Sequence, residues 1–276
     1  MTPMPWPGFG SDADWAAMRD SVLTEERTAI ASAGGRVVGH CVLCNEAQTF
    51  AETVAGVNFR EGLLCPRCHA NARQRAAVSV LLHARPRLHS ERVYLTEQAS
   101  ALFLSLRRHA GHLLGSEFTT RLRRRLGLSA WLLRHGCLRA WIRHEDVTAL
   151  RLASGSVDAI VSLDVLEHVP EYTRALSEFA RVLTPGGVLV LTVPFHEWQA
   201  DSKVIARLRS DGSVDTVGEP EFHGDPVSGG ALCFHHFGWD LLQSLRDAGF
   251  GQVDAVRVQD MALGLPEGIW VLRAMR

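Results

Sequence analysis

The segment from residue 162 to residue 195, SLDVLEHVPEYTRALSEFARVLTPGGVLVLTVPF, constrains the fold of this 276-residue chain more than any other. An apolar strand ends in Asp164, an amphipathic helical pattern follows, and Pro185-Gly186-Gly187 leads into a second apolar strand. The glycine pair allows a tight turn that other residues would strain. Two buried strands joined through a helix form a β-α-β unit, which is typical of a doubly wound sheet.

Short apolar runs and amphipathic helices alternate from about residue 92 to the C-terminus. This pattern predicts an α/β, Rossmann-like, doubly wound and mostly parallel seven-stranded sheet. Strands are predicted at 92–96, 112–117, 144–148, 158–164, 188–194, 253–258 and 269–273. Helices are predicted at 14–31, 99–108, 171–183 and 239–248, and a basic amphipathic helix within 118–141.

Three regions follow from the distribution of these patterns. Residues 1–35 form an N-terminal extension, and residues 36–88 form a small cysteine-containing module with the helix that follows it. Residues 89–276 form the Rossmann-like domain, with a histidine-rich insertion at 196–237.

Four cysteines mark the small module, because Cys41-x2-Cys44 is followed after twenty residues by Cys65-x2-Cys68. Two such pairs can close a tetrahedral site with four sulfur ligands, and a closed site of this kind is structural. Zinc is the expected ion, and iron in a rubredoxin-like site is the alternative, since spacing does not choose between them. The haem-attachment pattern that ends in His69 would require export and would leave the first cysteine pair unexplained.

Composition narrows the remaining classes. Formal net charge is −1, which favours neither a nucleic-acid nor a membrane surface as a partner. We expect a cytoplasmic protein without a membrane span, because no signal-peptide pattern or long apolar run is present. Cysteines are then unlinked by disulfides, and we expect Cys137 and Cys233 to be free and buried. We interpret the arginines of residues 67–75 as a solvated helix face; contact with nucleic acid or protein is the alternative.

DVLEHV and RVLTPGGVLVLTVP, within residues 162–195, resemble the fourth- and fifth-strand motifs of class I S-adenosylmethionine-dependent methyltransferases of the type 11-like group. HEDVTAL followed by SVDAIVSLD is similar to the preceding strand passage of that family. The resemblance runs from about residue 92 to the C-terminus. It implies a Rossmann-like fold and S-adenosylmethionine as the cofactor.

The resemblance also implies positions for the cofactor. In the family, the loop after the first strand of the domain is rich in glycine. This chain has Thr96-Glu97-Gln98 there, and polar side chains would replace the glycines. Glu117, about twenty residues later, would accept hydrogen bonds from the ribose hydroxyls. Asp146 would face the adenine amino group with Val147 beside the ring, and Asp164 would lie at the end of the fourth strand.

Histidines cluster near the expected acceptor pocket. His168, His223, His235 and His236 are candidates for a general base or for positioning the acceptor, since histidine titrates near neutral pH. Histidines bonded to the loop backbone are the alternative, and His223, Asp225 and His235 could instead form a second metal site.

The sequence therefore predicts methyl transfer to an O, N or C nucleophile of a small-molecule or glycan-like acceptor. Two alternatives stay open. The first is a catalytically inactive fold that binds RNA or protein through its zinc ribbon, which the uneven basic stretches 107–143 and 67–75 favour. The second is a cofactor-binding enzyme with chemistry other than methylation.

Overall fold

The computed structural model describes residues 4–33, 36–51, 58–138, 141–224 and 230–276. Within them, the helices are α1 (Asp12–Ala33), α2 (Ala72–Ala84), α3 (Ala101–Leu106), α4 (Leu122–Arg134), α5 (Tyr172–Val182) and α6 (Asp240–Asp247). The strands before the insertion are β1 (Gly8–Phe9), β2 (Arg36–Cys41), β3 (Glu46–Ala51), β4 (Arg92–Leu95), β5 (His112–Gly115), β6 (Val157–Leu163) and β7 (Leu183–Thr192). The insertion contains β8 (Lys203–Val204), β9 (Ala206–Leu208), β10 (Val214–Thr216), β11 (Phe222–His223), β12 (Ala231–Leu232) and β13 (His235–His236), and the chain closes with β14 (Gln252–Asp260) and β15 (Leu265–Met275).

The central sheet has seven strands in the order β1-β14-β15-β7-β6-β4-β5. Strands β5, β4, β6 and β7 pair in parallel, whereas β15 pairs antiparallel with both β7 and β14. The predicted α/β fold class is confirmed, and the predicted helices form with ends shifted by a few residues. The carboxyl ends of the four parallel strands therefore meet along one edge, where ligands bind in such sheets.

The strand predicted at 144–148 is wrong. Its contact with the sheet is a single parallel bridge between Glu117 and His144. Asp146 turns the chain immediately afterwards, because its Oδ1 accepts hydrogen bonds from the backbone N and the hydroxyl of Thr148. An Asx turn of this kind competes with strand pairing. The seventh strand is β1 instead, which pairs antiparallel with the edge of β14.

The N-terminal segment packs onto the sheet as well as extending it. Helix α1 contacts β15. Glu26 on this helix forms two 2.7 Å hydrogen bonds with the Arg257 guanidinium, and both side chains are buried. A buried pair of this kind leaves an uncompensated charge when one partner is removed.

The two faces of the sheet bury different elements. Alternation along β6 places Ala159 and Val161 on one face and Ile160 on the other. The first face packs against α2 and the four-cysteine module, and the second packs against α5 and α6. The cysteines of the module thus belong to the same hydrophobic cluster as the sheet.

The insertion after β7 consists of short antiparallel ribbons, β9–β10, β11–β12 and β13–β8. Phe234 N donates a 2.7 Å hydrogen bond to Glu167 O, which attaches the insertion to the segment that follows β6. Within the insertion, Cys233 N donates to Glu221 O at 2.8 Å.

Candidate active site

A cleft of about 1710 Å³ opens at the carboxyl ends of the parallel strands. Ordinary ligand pockets enclose about 300–1,000 Å³, so this cleft has room for two small molecules side by side. The ends of β4, β5, β6 and β7 contribute Glu97, Glu117, Asp164 and Val193 to its lining. The insertion and the segment after β6 close the other side.

The first loop is held by a carboxylate. Glu117 Oε1 accepts hydrogen bonds from the backbone N of Gln98 at 2.8 Å and of Ala99 at 2.6 Å. Ser100 then begins α3, because its side chain accepts a hydrogen bond from Phe103 N. Two of the loop's backbone donors are therefore satisfied by a side chain of the next strand, and the loop keeps a defined shape without a glycine.

The glycine that this loop lacks has a counterpart on the neighbouring strand. A Cβ added at Gly115 would lie 2.7 Å from Phe103 Cε2, 2.9 Å from Gln98 Cβ and 2.9 Å from Glu97 O. Such distances are far below normal contact, so a side chain at this position would displace the loop. Close approach of the loop to β5 depends on this one glycine.

Glu97 projects into the cleft from the same loop. Burial raises its pKa to about 7, although the Ser100 side chain and the Arg73 charge oppose that shift. Thr96 and Gln98 differ in placement: Thr96 lines the cleft, and its hydroxyl lies 3.4 Å from Ser162 Oγ. Gln98 is buried and donates to Trp141 O, so it supports the loop from behind.

Asp164 lies at the end of β6 with a positive φ of 50°, a backbone conformation that is unusual for a side-chain-bearing residue. Its Oδ1 accepts hydrogen bonds from Arg60 at 2.6 Å and from the Thr192 hydroxyl at 2.8 Å, and its Oδ2 lies 3.2 Å from Arg73 Nε. Burial alone would raise the pKa of Asp164, but the Arg73 and Arg60 charges outweigh it and hold the pKa below its ordinary range. Asp164 is therefore a charged, fixed group at the centre of the cleft.

The two arginines that hold Asp164 were not predicted as site residues. Arg60 lies between the cysteine pairs, and Arg73 lies in the first turn of α2, where Glu61 also accepts from it at 2.8 Å. The interpretation of residues 67–75 as a solvated face is wrong for Arg73 and Arg75. Arg75 is 1% exposed and donates to Leu63 O, Ala70 O and Gly264 O.

Asp146 and Val147 line the cleft beside the first loop. Asp146 uses one oxygen to form the turn with Thr148. The structure therefore brings these two residues to the same cleft as Glu97, Glu117 and Asp164, in a segment that follows a bridge rather than a strand.

The four histidine candidates divide into two groups. His168 and His223 line the cleft, with ring centroids 5.5 Å apart. His235 is buried: its Nε2 lies 3.1 Å from Pro170 O and its ring packs against Tyr172. His236 lies outside the cleft lining and bonds Glu221 Oε2 at 2.7 Å.

Glu167 lies between the two histidines of the cleft. His168 Nε2 and His223 Nδ1 are each 3.9 Å from its Oε1. Burial raises the pKa of Glu167 above its ordinary range, and the Glu167 carboxylate in turn raises the pKa of His223. Of the set His223, Asp225 and His235, His235 Nε2 lies 3.1 Å from Pro170 O, and Asp225 lies outside the described residues.

The four cysteines of the module form one cluster whose sulfurs all lie within 4.8 Å of one another. The Sγ–Sγ distances are 3.7 Å for Cys41–Cys68 and 3.7 Å for Cys44–Cys65. The hydrogen bond with Cys68 lowers the pKa of Cys41 to about 5, whereas burial raises the pKa of Cys44 to about 11. Cys137 and Cys233 are free and buried, as predicted.

Residues 100–191, about a third of the chain, match the family model described as methyltransferase domain. Over 53 residues the chain is 42% identical to a probable S-adenosylmethionine-dependent methyltransferase of Mycolicibacterium smegmatis, covering 19% of this chain and 21% of that protein. Over 87 residues it is 37% identical to an arsenite methyltransferase of Aquipseudomonas alcaligenes, covering 32% and 22%. The chain thus spans about a fifth of the length of these curated relatives.

Among solved structures, an S-adenosylmethionine-dependent methyltransferase from Mesorhizobium loti aligns with a TM-score of 0.46 and 19% identity, covering 73% of this chain and 98% of that one. The match of residues 100–191 supports the resemblance to methyltransferases over that part of the chain. Within the described ranges, no helix is both long and apolar enough to cross a bilayer.

Proposed function

We propose that this chain transfers a methyl group from S-adenosylmethionine to an O, N or C nucleophile of a small-molecule or glycan-like acceptor. One observation carries the proposal: Glu97, Glu117, Asp146 and Asp164 line a single cleft at the carboxyl ends of parallel strands. The match of residues 100–191 to the methyltransferase domain supports it.

The residues of the cleft fit this cofactor. S-adenosylmethionine has a cationic sulfonium, an amino-acid end and no phosphate, so its loop need not approach a pyrophosphate as glycine-rich loops do. Glu97 and Asp164 would face the cationic end, beside the Arg60 and Arg73 guanidiniums that hold Asp164. Glu117 would accept from the ribose while it holds the loop.

When bound, the cofactor supplies an electrophilic methyl group on sulfur. The chain's own contribution is to hold the acceptor in line with that methyl and to keep water out. Phe222, Leu232 and Phe234 of the insertion form an apolar wall on the acceptor side.

His168 and His223 are the groups placed to receive the acceptor. His168 Nδ1 lies 2.9 Å from Leu232 O, so the tautomer assigned from this hydrogen bond carries its proton there and leaves Nε2 as the accepting nitrogen. A hydroxyl or amine acceptor loses a proton as it attacks, and His168 Nε2 is placed to take or direct it.

We further propose that the four cysteines bind one zinc ion. Four sulfurs about 2.3 Å from a zinc ion lie about 3.8 Å apart in a tetrahedron, which agrees with the 3.7 Å distances of the cluster. Four thiolates so close together would repel without a cation. Iron could occupy the same tetrahedral geometry, and metal analysis of the purified protein distinguishes it from zinc.

Calorimetric titration with S-adenosylmethionine and S-adenosylhomocysteine tests the main proposal. We expect binding in about the micromolar range, at the tight end of ordinary enzyme affinities, and a loss of about tenfold in Glu117→Gln, which keeps the shape of the side chain but not its charge. The matched control is Glu25→Gln, which changes an exposed carboxylate on α1 and should leave binding unchanged.

Each outcome has a separate meaning. If neither ligand gives a heat of binding with folded, metal-loaded protein, the proposed cofactor is excluded and a protein- or RNA-binding module is favoured. Binding that is equal in wild type and Glu117→Gln would leave the cofactor in place and remove Glu117 from its recognition.

A further inference from the structure

The carboxylate of Glu167 is an anomaly in the cleft wall. Its side chain is 0% exposed, and neither oxygen has a hydrogen-bond partner among the described residues. A buried acid without partners is strongly unfavourable, because the hydration that it loses is not replaced by hydrogen bonds. Such a group calls for a partner that completes it.

The ring nitrogens nearest Glu167 converge on it. His168 Nε2 and His223 Nδ1 each lie 3.9 Å from Glu167 Oε1. Nitrogen and oxygen ligands of one tetrahedral ion lie about 3.4 Å apart for metal–ligand bonds of about 2.0–2.2 Å. Each of the two nitrogens therefore lies about half an ångström farther from Oε1 than the ligand pairs of one tetrahedral ion.

The outer nitrogens of both rings are already fixed by oxygen acceptors. His168 Nδ1 lies 2.9 Å from Leu232 O, and His223 Nε2 lies 3.0 Å from Glu221 Oε1. Histidines that bind metals usually donate their second N–H to a carbonyl or carboxylate, which orients the ring and fixes the tautomer. Glu221 also bonds His236 and is itself held in place.

Two neighbouring groups stand beside this arrangement rather than in it. Asp164 has both oxygens engaged by Arg60, Arg73 and Thr192. Cys233 lies 3.9 Å from His168 Nδ1, the nitrogen that bonds Leu232.

We propose that Glu167, His168 and His223 bind one divalent first-row transition-metal ion, distinct from the ion of the four-cysteine cluster. Two imidazole nitrogens and one carboxylate suit zinc, iron or manganese, and three protein ligands leave positions open toward the cleft. An ion there favours an acceptor that offers an oxygen donor. That statement about the acceptor rests on the proposed function, whereas metal binding itself does not. The histidines would then position the acceptor through the ion instead of taking its proton.

The test is a metal titration of the full chain. Dialysis against a weak chelator strips weakly held ions and leaves the closed four-cysteine site loaded, after which Zn²⁺ or Co²⁺ is titrated by calorimetry. We expect one further ion per chain in the wild type. In Glu167→Gln and His223→Gln we expect affinity at least about 100-fold lower, the upper end of the 10–100-fold loss typical of lost outer partners. Glu219→Gln, an exposed acid of the same insertion, should bind like the wild type.

Cobalt separates the two sites by spectrum. Cobalt that enters the four-cysteine site gives sulfur-to-cobalt charge-transfer bands. Cobalt bound at Glu167 should show ligand-field bands without these charge-transfer bands. Thermal unfolding of Glu167→Gln checks that the variant folds, and the added ion should raise the melting temperature of the wild type alone.

The assignment fails if the wild type takes up no ion beyond the four-cysteine site, or if Glu167→Gln and His223→Gln bind the added ion as tightly as the wild type. Cofactor binding is scored separately. Wild-type protein that binds the second ion but neither S-adenosylmethionine nor S-adenosylhomocysteine would overturn the proposed function and leave the metal site standing.

Discussion

Gly115→Ala is the sharpest perturbation of the first loop. The new methyl group would lie 2.7 Å from Phe103 Cε2 and 2.9 Å from both Gln98 Cβ and Glu97 O, so one of these groups must move. Overpacking of this kind costs about 1–3 kcal/mol. Replacing glycine within a strand returns about 0.5–1 kcal/mol of backbone entropy, which leaves a net destabilisation between about 0 and 2.5 kcal/mol, centred on about 1 kcal/mol.

The matched control has the opposite sign. Gly127 lies inside α4, and an added Cβ there has no atom within 4 Å. Gly127→Ala should therefore raise the free energy of unfolding by about 0.5–1 kcal/mol, because alanine is the better helix former. Both variants make the same chemical change, so they differ only in what surrounds the new methyl group.

Urea denaturation measures the two free energies of unfolding, and calorimetry measures S-adenosylmethionine binding on the same samples. We expect Gly115→Ala to lower the midpoint and weaken binding, since the carbonyl of Glu97 lies in the displaced loop. Gly127→Ala should raise the midpoint and leave binding unchanged. A Gly115→Ala protein with wild-type stability and wild-type affinity would refute the view that this glycine sets the shape of the loop.

Two further predictions concern charge and metal. The pKa of Glu97 is about 7 in the free protein, so roughly half of the Glu97 carboxyls carry a proton at pH 7. A cation bound nearby favours the ionised form. S-adenosylmethionine binding should therefore release about half a proton per chain. Calorimetry in buffers of different ionisation enthalpy measures this release, which Glu97→Gln should abolish; equal release in both proteins would exclude Glu97 as its source. In the Glu167→Gln variant the four-cysteine cluster is the remaining proposed metal site. Removing its ion should weaken cofactor binding, because Arg60, which holds Asp164, lies between the cysteine pairs. Loss of zinc with unchanged cofactor affinity would contradict this dependence of the cleft on the module.

Local periodicity predicts most of the elements because each amphipathic segment records which of its faces is buried. Strand β6 and helix α5 form close to their predicted bounds, since β6 is a short continuous apolar run and the apolar positions of α5 repeat with the period of a helix. The segment 144–148 forms no strand because it contains one apolar residue, Val147, and a polar turn former, Asp146. Strand β1 was missed because two residues, Gly8 and Phe9, carry no periodicity.

The arginines were misread for a different reason. Arg75 donates to Gly264, 189 residues away along the chain, and Arg60 donates to Asp164, 104 residues away. A count of charges within a helical segment contains no information on partners at such separations. A buried arginine and an exposed one have the same local pattern, and only the tertiary structure distinguishes them.

The position of Arg60 and Arg73 changes how the four-cysteine module is understood. The module packs on one face of the sheet, yet two of its arginines, Arg60 and Arg73, reach the carboxyl edge and hold Asp164. Glu61, Glu97 and Asp164 oppose these two guanidiniums, which leaves one excess negative charge when Glu97 is ionised. S-adenosylmethionine carries two cationic groups and one carboxylate, so its net charge complements that excess. Under the proposed function, the four-cysteine module beside the cleft would contribute to the electrostatic balance of the cofactor site, and the polar first loop would serve where a glycine-rich one is usual.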